Sequence, residues 1–371
     1  MLLTHGVFFV DGALRADVSV RCEGGAIRQV GALSPLPGED VLDAGGAYVL
    51  PGFVDIHIHG FSGRDCMEGE DAVRAMSRGL AGQGVAAFVP TTMSAPPDET
   101  RAALAGIGAV MDRPEPSGAA VLGAHMEAPF LSPAYSGAQR AECMQRPSPE
   151  AYDALTQGLS GYVRMMTLAP ELDGALALIE HLTRQGVVAC CAHSGATSAQ
   201  VHAAAAVGLR QITHLFNAQS PLHHREPGVP GAGLSDPRLL VQVIADCIHL
   251  HEDALRIAAL CKGPDGVALI TDAMMAAGMP DGEYTLGGQR VIVRDGAARL
   301  ERGNLAGSTL TLHAAVRNMI VRCGLSPETV IPMATSTPAR SVGAQAYGAI
   351  APGKAARFAL MDREWNFLRA L

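Results

Sequence analysis

Apolar and polar residues alternate over short stretches at the start of the chain and then settle into a longer rhythm. Gly6-Val7-Phe8-Phe9-Val10 and Val18-Ser19-Val20-Arg21 are brief apolar or alternating runs, punctuated by Asp11-Gly12 and Gly24-Gly25. That pattern predicts small antiparallel strands joined by tight turns. No helical periodicity shows before about Asp71. From Phe53 onward, apolar strand-like runs alternate with Ala-rich helical stretches. Eight runs are present: Phe53–Ile58, Ala86–Thr91, Ala120–His125, Val163–Ala169, Val187–His193, Gln211–Phe216, Val241–Asp246 and Val267–Asp272. Segments such as Glu70–Gln83, Glu99–Met111, Leu172–Gln185 and Thr197–Leu209 read as helices between them. Regular alternation of β and α units predicts a parallel sheet, and eight units predict its closure into a (β/α)₈ TIM barrel. A doubly wound open sheet gives similar runs, but no GxGxxG stands at a first strand–helix turn.

After the eighth run, Tyr284–Gln289 and Val291–Gly296 read as a β-hairpin insert within 283–301, followed by helical stretches from about Leu310 to Cys323 and Ser326 to Ala334. Gly348–Lys354 and Phe358–Met361 look like short strands again. The expected organisation is an α/β barrel over 51–344 beside a small sheet domain in which 1–50 meets 345–371.

Composition narrows the function classes. A chain of 371 residues that is 48% hydrophobic and 17% charged builds a large core and is not disordered. Against 36 Asp+Glu stand 28 Lys+Arg, for a net charge of -8 with no dense basic cluster, which argues against a nucleic-acid groove. An anionic ligand must then be held by a local site. The eight cysteines form no CxxC pair, as expected of idle thiols in a reducing compartment. The N-terminus lacks a basic start, a long apolar stretch and a small-residue cleavage site, and no apolar run reaches membrane-spanning length. A soluble, cytoplasmic protein without a membrane partner is expected.

The chemistry lies in what terminates the runs. The first ends in His57-Ile58-His59, and the third leads to His125-Met126-Glu127. The fifth ends at His193, the sixth contains His214, the seventh precedes His249, and the eighth ends at Asp272. In a barrel these positions gather on one rim. One His after an apolar run is ordinarily a core or loop residue, but alternate strand residues share a face, so His57 and His59 can reach one ion. Imidazoles and carboxylates from six runs match a catalytic zinc, iron or manganese site. Asp272 has the position of a general base beside such a metal, with a helix N-cap as its structural alternative. His5, His181, His202 and His313 lie away from the rim. The donor-rich stretch Thr213–Gly228 offers Asn217, Arg225 and backbone N–H groups to a phosphate. Gly307-Ser308-Thr309 is a second anion candidate or a plain cap.

Taken together, Pro51–Gly60, His125–Leu131, Ala192–Thr197, Thr213–Ala218, Ile270–Met274 and Leu305–Leu312 resemble the N-acetylglucosamine-6-phosphate deacetylase family of the urease-like amidohydrolases, in order from about residue 47 to 354. The resemblance implies a barrel with a small β-sandwich from both termini, commonly in a homodimer. It implies deacetylation of a phosphorylated N-acetyl amino sugar with one or two divalent ions per subunit, zinc or iron foremost, manganese or cobalt as alternatives. It assigns the main metal ligands to Glu127, His193 and His214, a second ion to His57 and His59, and the acid/base role to Asp272. Asn217, Ala218, Arg225 and His249 match sugar-phosphate contacts, and in such dimers the Arg loop serves the neighbouring subunit's site. Gln139 stands where some members place a His that polarises the substrate carbonyl. Ala128 replaces the usual Gly, Gln219 a common Met, and Lys354-Ala355-Ala356-Arg357 the usual Lys-x-Ala-Asp before a short end that implies an abbreviated sandwich. Other amides remain open, among them N-acetylgalactosamine 6-phosphate, N-acyl-D-amino acids and cyclic amides. So does a catalytically dead sugar-phosphate sensor.

Overall fold

The eight apolar runs become eight parallel strands, numbered β1–β8 around a barrel, in a computed structural model that describes residues 1–371. They are β1 (Phe53–Ile58), β2 (Val85–Thr92), β3 (Ala124–Met126), β4 (Val163–Leu168), β5 (Val188–Cys191), β6 (Leu209–Ile212), β7 (Leu240–Ile244) and β8 (Val267–Ile270). Nearly every residue of these strands is buried, because the helices cover one face of the sheet and the barrel interior the other. Two runs end differently from their apolar pattern. The third breaks at Gly123 (φ 133), which splits off Ala120–Val121 before β3. The sixth stops at Ile212, since the chain turns out of the sheet with His214 (φ 33) and Phe216 (φ 76) in the left-handed region.

Each strand from β1 to β8 pairs in parallel with the next. Closure between β8 and β1 is thinner. A single bridge joins Ile58 to Ala273, the Asp272 N–H donates to the His57 carbonyl at 2.9 Å, and the His59 N–H donates to the Ala273 carbonyl at 2.8 Å. The buried Asp55 carboxylate adds a polar clasp, accepting from the Thr271 hydroxyl at 2.6 Å and from the Thr271 N–H at 3.3 Å.

The outer helices begin where local chemistry favours it. Thr197 makes a full capping box with Gln200 ahead of Ser198–Val207, and Pro97 and Pro149 occupy first-turn positions where no N–H is needed. The termini form two further sheets. One carries Leu2–Thr4, Ser19–Glu23, Ala26–Gly31 and Val41–Asp43; the other carries Val7–Val10, Ala13–Arg15, Tyr48–Pro51, Phe358–Met361 and Phe367–Ala370. Leu3, Val20 and Ile27 of the first pack with Phe8, Val49, Phe358 and Leu360 of the second, so the two face each other as a sandwich.

The insert after β8 has one strand more than the expected hairpin: Gly282–Leu286, Gln289–Arg294 and Ala297–Leu300 form an antiparallel meander. Its apolar face (Leu286, Val291, Val293, Leu300) closes on Met93 and Met274. Gln289 and Arg302 hold it to the loop over the barrel mouth by donating to the Ala138 and Gly137 carbonyls.

Candidate active site

Strand alternation puts Asp55, His57 and His59 on one side of β1 and its exit. Three of the other rim residues leave their strands through strained backbone. His193 (φ 47), His214 (φ 33) and Asp272 (φ 50) follow β5, β6 and β8 in the left-handed region. Such conformations cost of order 1–3 kcal/mol each and persist where the surroundings over-determine them. Gly60 allows the closest approach here, because a Cβ on it would lie 2.6 Å from the Met275 nitrogen.

These turns bring four imidazoles and two carboxylates to one point, all of them buried. Glu127 Oε1 lies 2.9 Å from His214 Nε2 and 3.2 Å from His193 Nε2, while Oε2 lies 3.4 Å from His59 Nε2. Asp272 Oδ1 is 3.1 Å from His59 Nε2 and 3.4 Å from His57 Nε2. His57 and His59 face each other with 3.3 Å between their Nε2 atoms, as do His193 and His214 at 3.2 Å. Burial pushes the Asp272 carboxyl up, but His57 and His59 outweigh it and hold it well below the usual carboxylate range. Glu127 is likewise raised by burial and brought far down by His57, His193 and His214. The His59 imidazole is lowered by burial, yet Asp272 and Glu127 lift it to about 9.

All of these residues except His57 form the floor of a cavity of about 440 Å³. Gln139, Asn217, Ala218 and His249 line its wall, with Asn304, Leu286 and Met93. His249 is oriented by Asp246, whose Oδ2 is 2.7 Å from its Nδ1. Asn217 spends its amide N–H groups on the His214 and Leu215 carbonyls, both at 3.2 Å. Arg225 does not line this cavity. It is exposed on the Pro221–Glu226 loop and donates to His224 Nε2 at 2.8 Å. No Lys or Arg lines the cavity at all. Gln219 is turned away from it as well, bridging the Phe216 N–H and the Thr213 carbonyl. His125 lies beneath the floor, 2.7 Å from the Thr167 hydroxyl. His5, His181 and His202 pair with Asp43, Asp153 and Asp236, and His313 with Gln83; none of the four reaches the cavity.

The sequence matches the amidohydrolase family over residues 48–369. The chain belongs to the amidohydrolase family. An N-acetylgalactosamine-6-phosphate deacetylase of Escherichia coli O157:H7 is 39% identical over 90% of this chain and 88% of its own. An N-acetylglucosamine-6-phosphate deacetylase of Lysinibacillus sphaericus is 38% identical over 97% and 94%. Among solved structures, the N-acetyl-D-glucosamine-6-phosphate deacetylase of Mycobacterium smegmatis, as a mutant in complex with N-acetyl-D-glucosamine-6-phosphate, superposes with a TM-score of 0.93 at 33% identity, covering 100% of this chain and 97% of that one.

Amidohydrolase membership implies a divalent metal, and the donor set fits one. The Tyr135 and Thr91 carbonyls can only accept, so His193 Nδ1 and His59 Nδ1 carry the protons of these 2.9 Å contacts. In the neutral rings, both Nε2 atoms therefore present lone pairs to the carboxylate oxygens of Glu127 and, for His59, of Asp272. Only a proton or a cation reconciles such a cluster, and imidazole with carboxylate is a donor set for borderline metals. Two overlapping triads have this geometry: His57, His59 and Glu127, and Glu127, His193 and His214.

Several contributors were not read from the sequence. Asp55, pushed by burial to about 6 despite its bonds from Thr271 and the His57 N–H, stands two residues before His57 on the same strand face. That alternation is the signal that would have found it. Thr91 and Tyr135 act through backbone carbonyls, which no side-chain pattern reveals.

Proposed function

We propose that this amidohydrolase removes the acetyl group of N-acetylglucosamine 6-phosphate, giving glucosamine 6-phosphate and acetate. The observation that carries the reading is the convergence of Glu127, His193, His214, His59 and Asp272 at the floor of one cavity, with His57 against Asp272 just behind them. Relatives bearing the corresponding activity along almost the whole chain support it.

Glu127, His193 and His214 would hold one ion and His57 with His59 a second, zinc or iron before manganese or cobalt. A divalent ion in such a site supplies Lewis acidity and lowers the pKa of a bound water towards about 7. Asp272, ionised at neutral pH, takes a proton from the water that attacks the acetamide carbon. It returns a proton to the nitrogen as the C–N bond breaks, so acetate and the free amine leave. His249 and Asn217 orient the sugar from the cavity wall, and the Ala218 backbone lies beside them.

A cavity without Lys or Arg needs a cation for the 6-phosphate from elsewhere. We assign that role to the partner's Arg225 in a homodimer, which suits an exposed arginine loop that does not reach its own chain's cavity. A phosphorylated sugar does not cross membranes unaided, which supports a cytoplasmic site for the reaction.

The 39% identical relative named for the galactosamine epimer keeps a second substrate in view. Acetate release measured on both epimers, with and without the 6-phosphate, tests the reading. The expected order puts N-acetylglucosamine 6-phosphate first in kcat/KM, about tenfold or more above its epimer and further above the plain sugars. A reversed order of epimers would move the assignment, and no acetate from any of the four would end it.

A further inference from the structure

Gln139 is only 4% exposed, and its carboxamide has a defined orientation. The Ser94 N–H donates to Oε1 at 2.7 Å, which leaves the amide nitrogen facing the other way. That nitrogen donates to Glu127 Oε2 at 2.6 Å; its other neighbour is Met93 Sδ at 3.5 Å. The turn is clamped a second time where the Arg140 N–H donates to the Ser94 hydroxyl oxygen. Gln139 is therefore fixed at both ends of its amide, and its best N–H is spent on Glu127.

The two oxygens of Glu127 consequently differ. Oε1 faces His193 and His214 at 3.2 and 2.9 Å and takes no N–H from Gln139. Oε2 is the oxygen nearer His59, at 3.4 Å, and carries the Gln139 hydrogen bond. An N–H on a carboxylate oxygen draws charge from it and occupies one of its lone-pair directions. The same bond holds the carboxylate plane so that Oε1 stays with its two histidines.

We propose that Gln139 is a positioning residue that makes the two ion positions around Glu127 unequal, favouring Glu127/His193/His214 over His57/His59. This rests on the reading above, in which these residues hold divalent ions. His57 stands 3.7 Å from Oε1, and His59 meets Oε2. An ion at His57 and His59 that takes Oε2 shares it with the amide, and one that takes Oε1 competes with His193 and His214 for an oxygen already aimed at them. Contacts of this kind behind a metal ligand typically change affinity by about 10–100-fold. Gln139 thus acts on the ligand, and its N–H is not free for the substrate carbonyl that a His at this place would polarise.

The test compares the wild-type chain with Gln139→Met, which keeps the side-chain length and removes the donor. Gln139→Leu serves if the first variant does not fold, as judged by the melting of metal-free protein. Metal-free samples are titrated with Co²⁺ alone, bound ions are counted by elemental analysis, and the two dissociation constants are read from absorption and calorimetry. The wild-type chain is expected to bind its first ion about 100-fold or more tighter than its second. In the variant that ratio should fall by about tenfold or more, so a second ion appears at lower Co²⁺. An unchanged ratio overturns the proposal, even if both constants shift together, which is what a merely loosened loop produces. Co²⁺ binding by neither protein overturns it too, and with it the metal reading; ions bound with an unchanged ratio leave that reading intact.

Discussion

Asp272 combines three features that single it out among the rim residues. Its backbone is left-handed (φ 50), its carboxylate contacts both His57 and His59, and it lines the cavity. A helix N-cap would need none of these, and no helix begins at residue 273. Because its neighbours hold the carboxyl well below the ordinary range, Asp272 is already a base at mildly acid pH. Asp272→Asn keeps the shape and removes the base. Turnover is expected to drop by about 10²–10⁴-fold, while elemental analysis still finds metal on the protein. Turnover near the wild-type level in that variant contradicts the assigned role.

At the scale of elements, Asp65 carries a prediction about pH. It ends a two-residue strand, Arg64–Asp65, and caps the short turn Cys66–Glu68 by accepting from the Met67 N–H at 2.9 Å. Burial pushes its carboxyl from 3.8 to about 6 against that hydrogen bond. A carboxyl whose pKa is higher in the folded state binds its proton more tightly there, so its contribution favours folding below 3.8 and is lost as pH rises through 6. Asp65→Asn keeps an acceptor for Met67 and carries no charge. Relative to wild type it should gain up to about 3 kcal/mol at pH 7.5, with the gain vanishing towards pH 4, as read by denaturant unfolding at both values. The β/α elements themselves were legible because burial on both faces writes unbroken apolar runs. Where backbone conformation overrides that pattern, the runs mislead: Gly123 splits the third and left-handed His214 shortens the sixth. The third strand of the insert, Ala297–Leu300, follows the two runs that read as the hairpin. Of the site, every rim residue named from the sequence except Arg225 gathers at or under the cavity. The clasp of Asp55 and the carbonyls of Thr91 and Tyr135 depend on which strands meet, which is a property of the closed barrel alone.

For the whole molecule, the question is whether one chain contains a complete site. The cavity holds the cluster and its polar wall but no basic side chain, and Arg225 sits exposed on a loop outside it. If each cavity borrows the partner's Arg225, the two defects Asp272→Asn and Arg225→Ala fall together in one site of a mixed dimer. One cavity then has an intact Asp272 facing an intact arginine, and the other has neither. Equal amounts of the two variants, unfolded together and refolded, give mixed dimers in half of all pairs. About a quarter of the wild-type sites would be restored on the phosphorylated sugar, although each variant alone is nearly inactive on it. If Arg225 instead folds back on its own cavity, every site in the mixture lacks one of the two residues and no activity returns. Kinetics on the refolded mixture, beside unmixed controls, separates the outcomes, and sedimentation of the same samples establishes that pairs have formed.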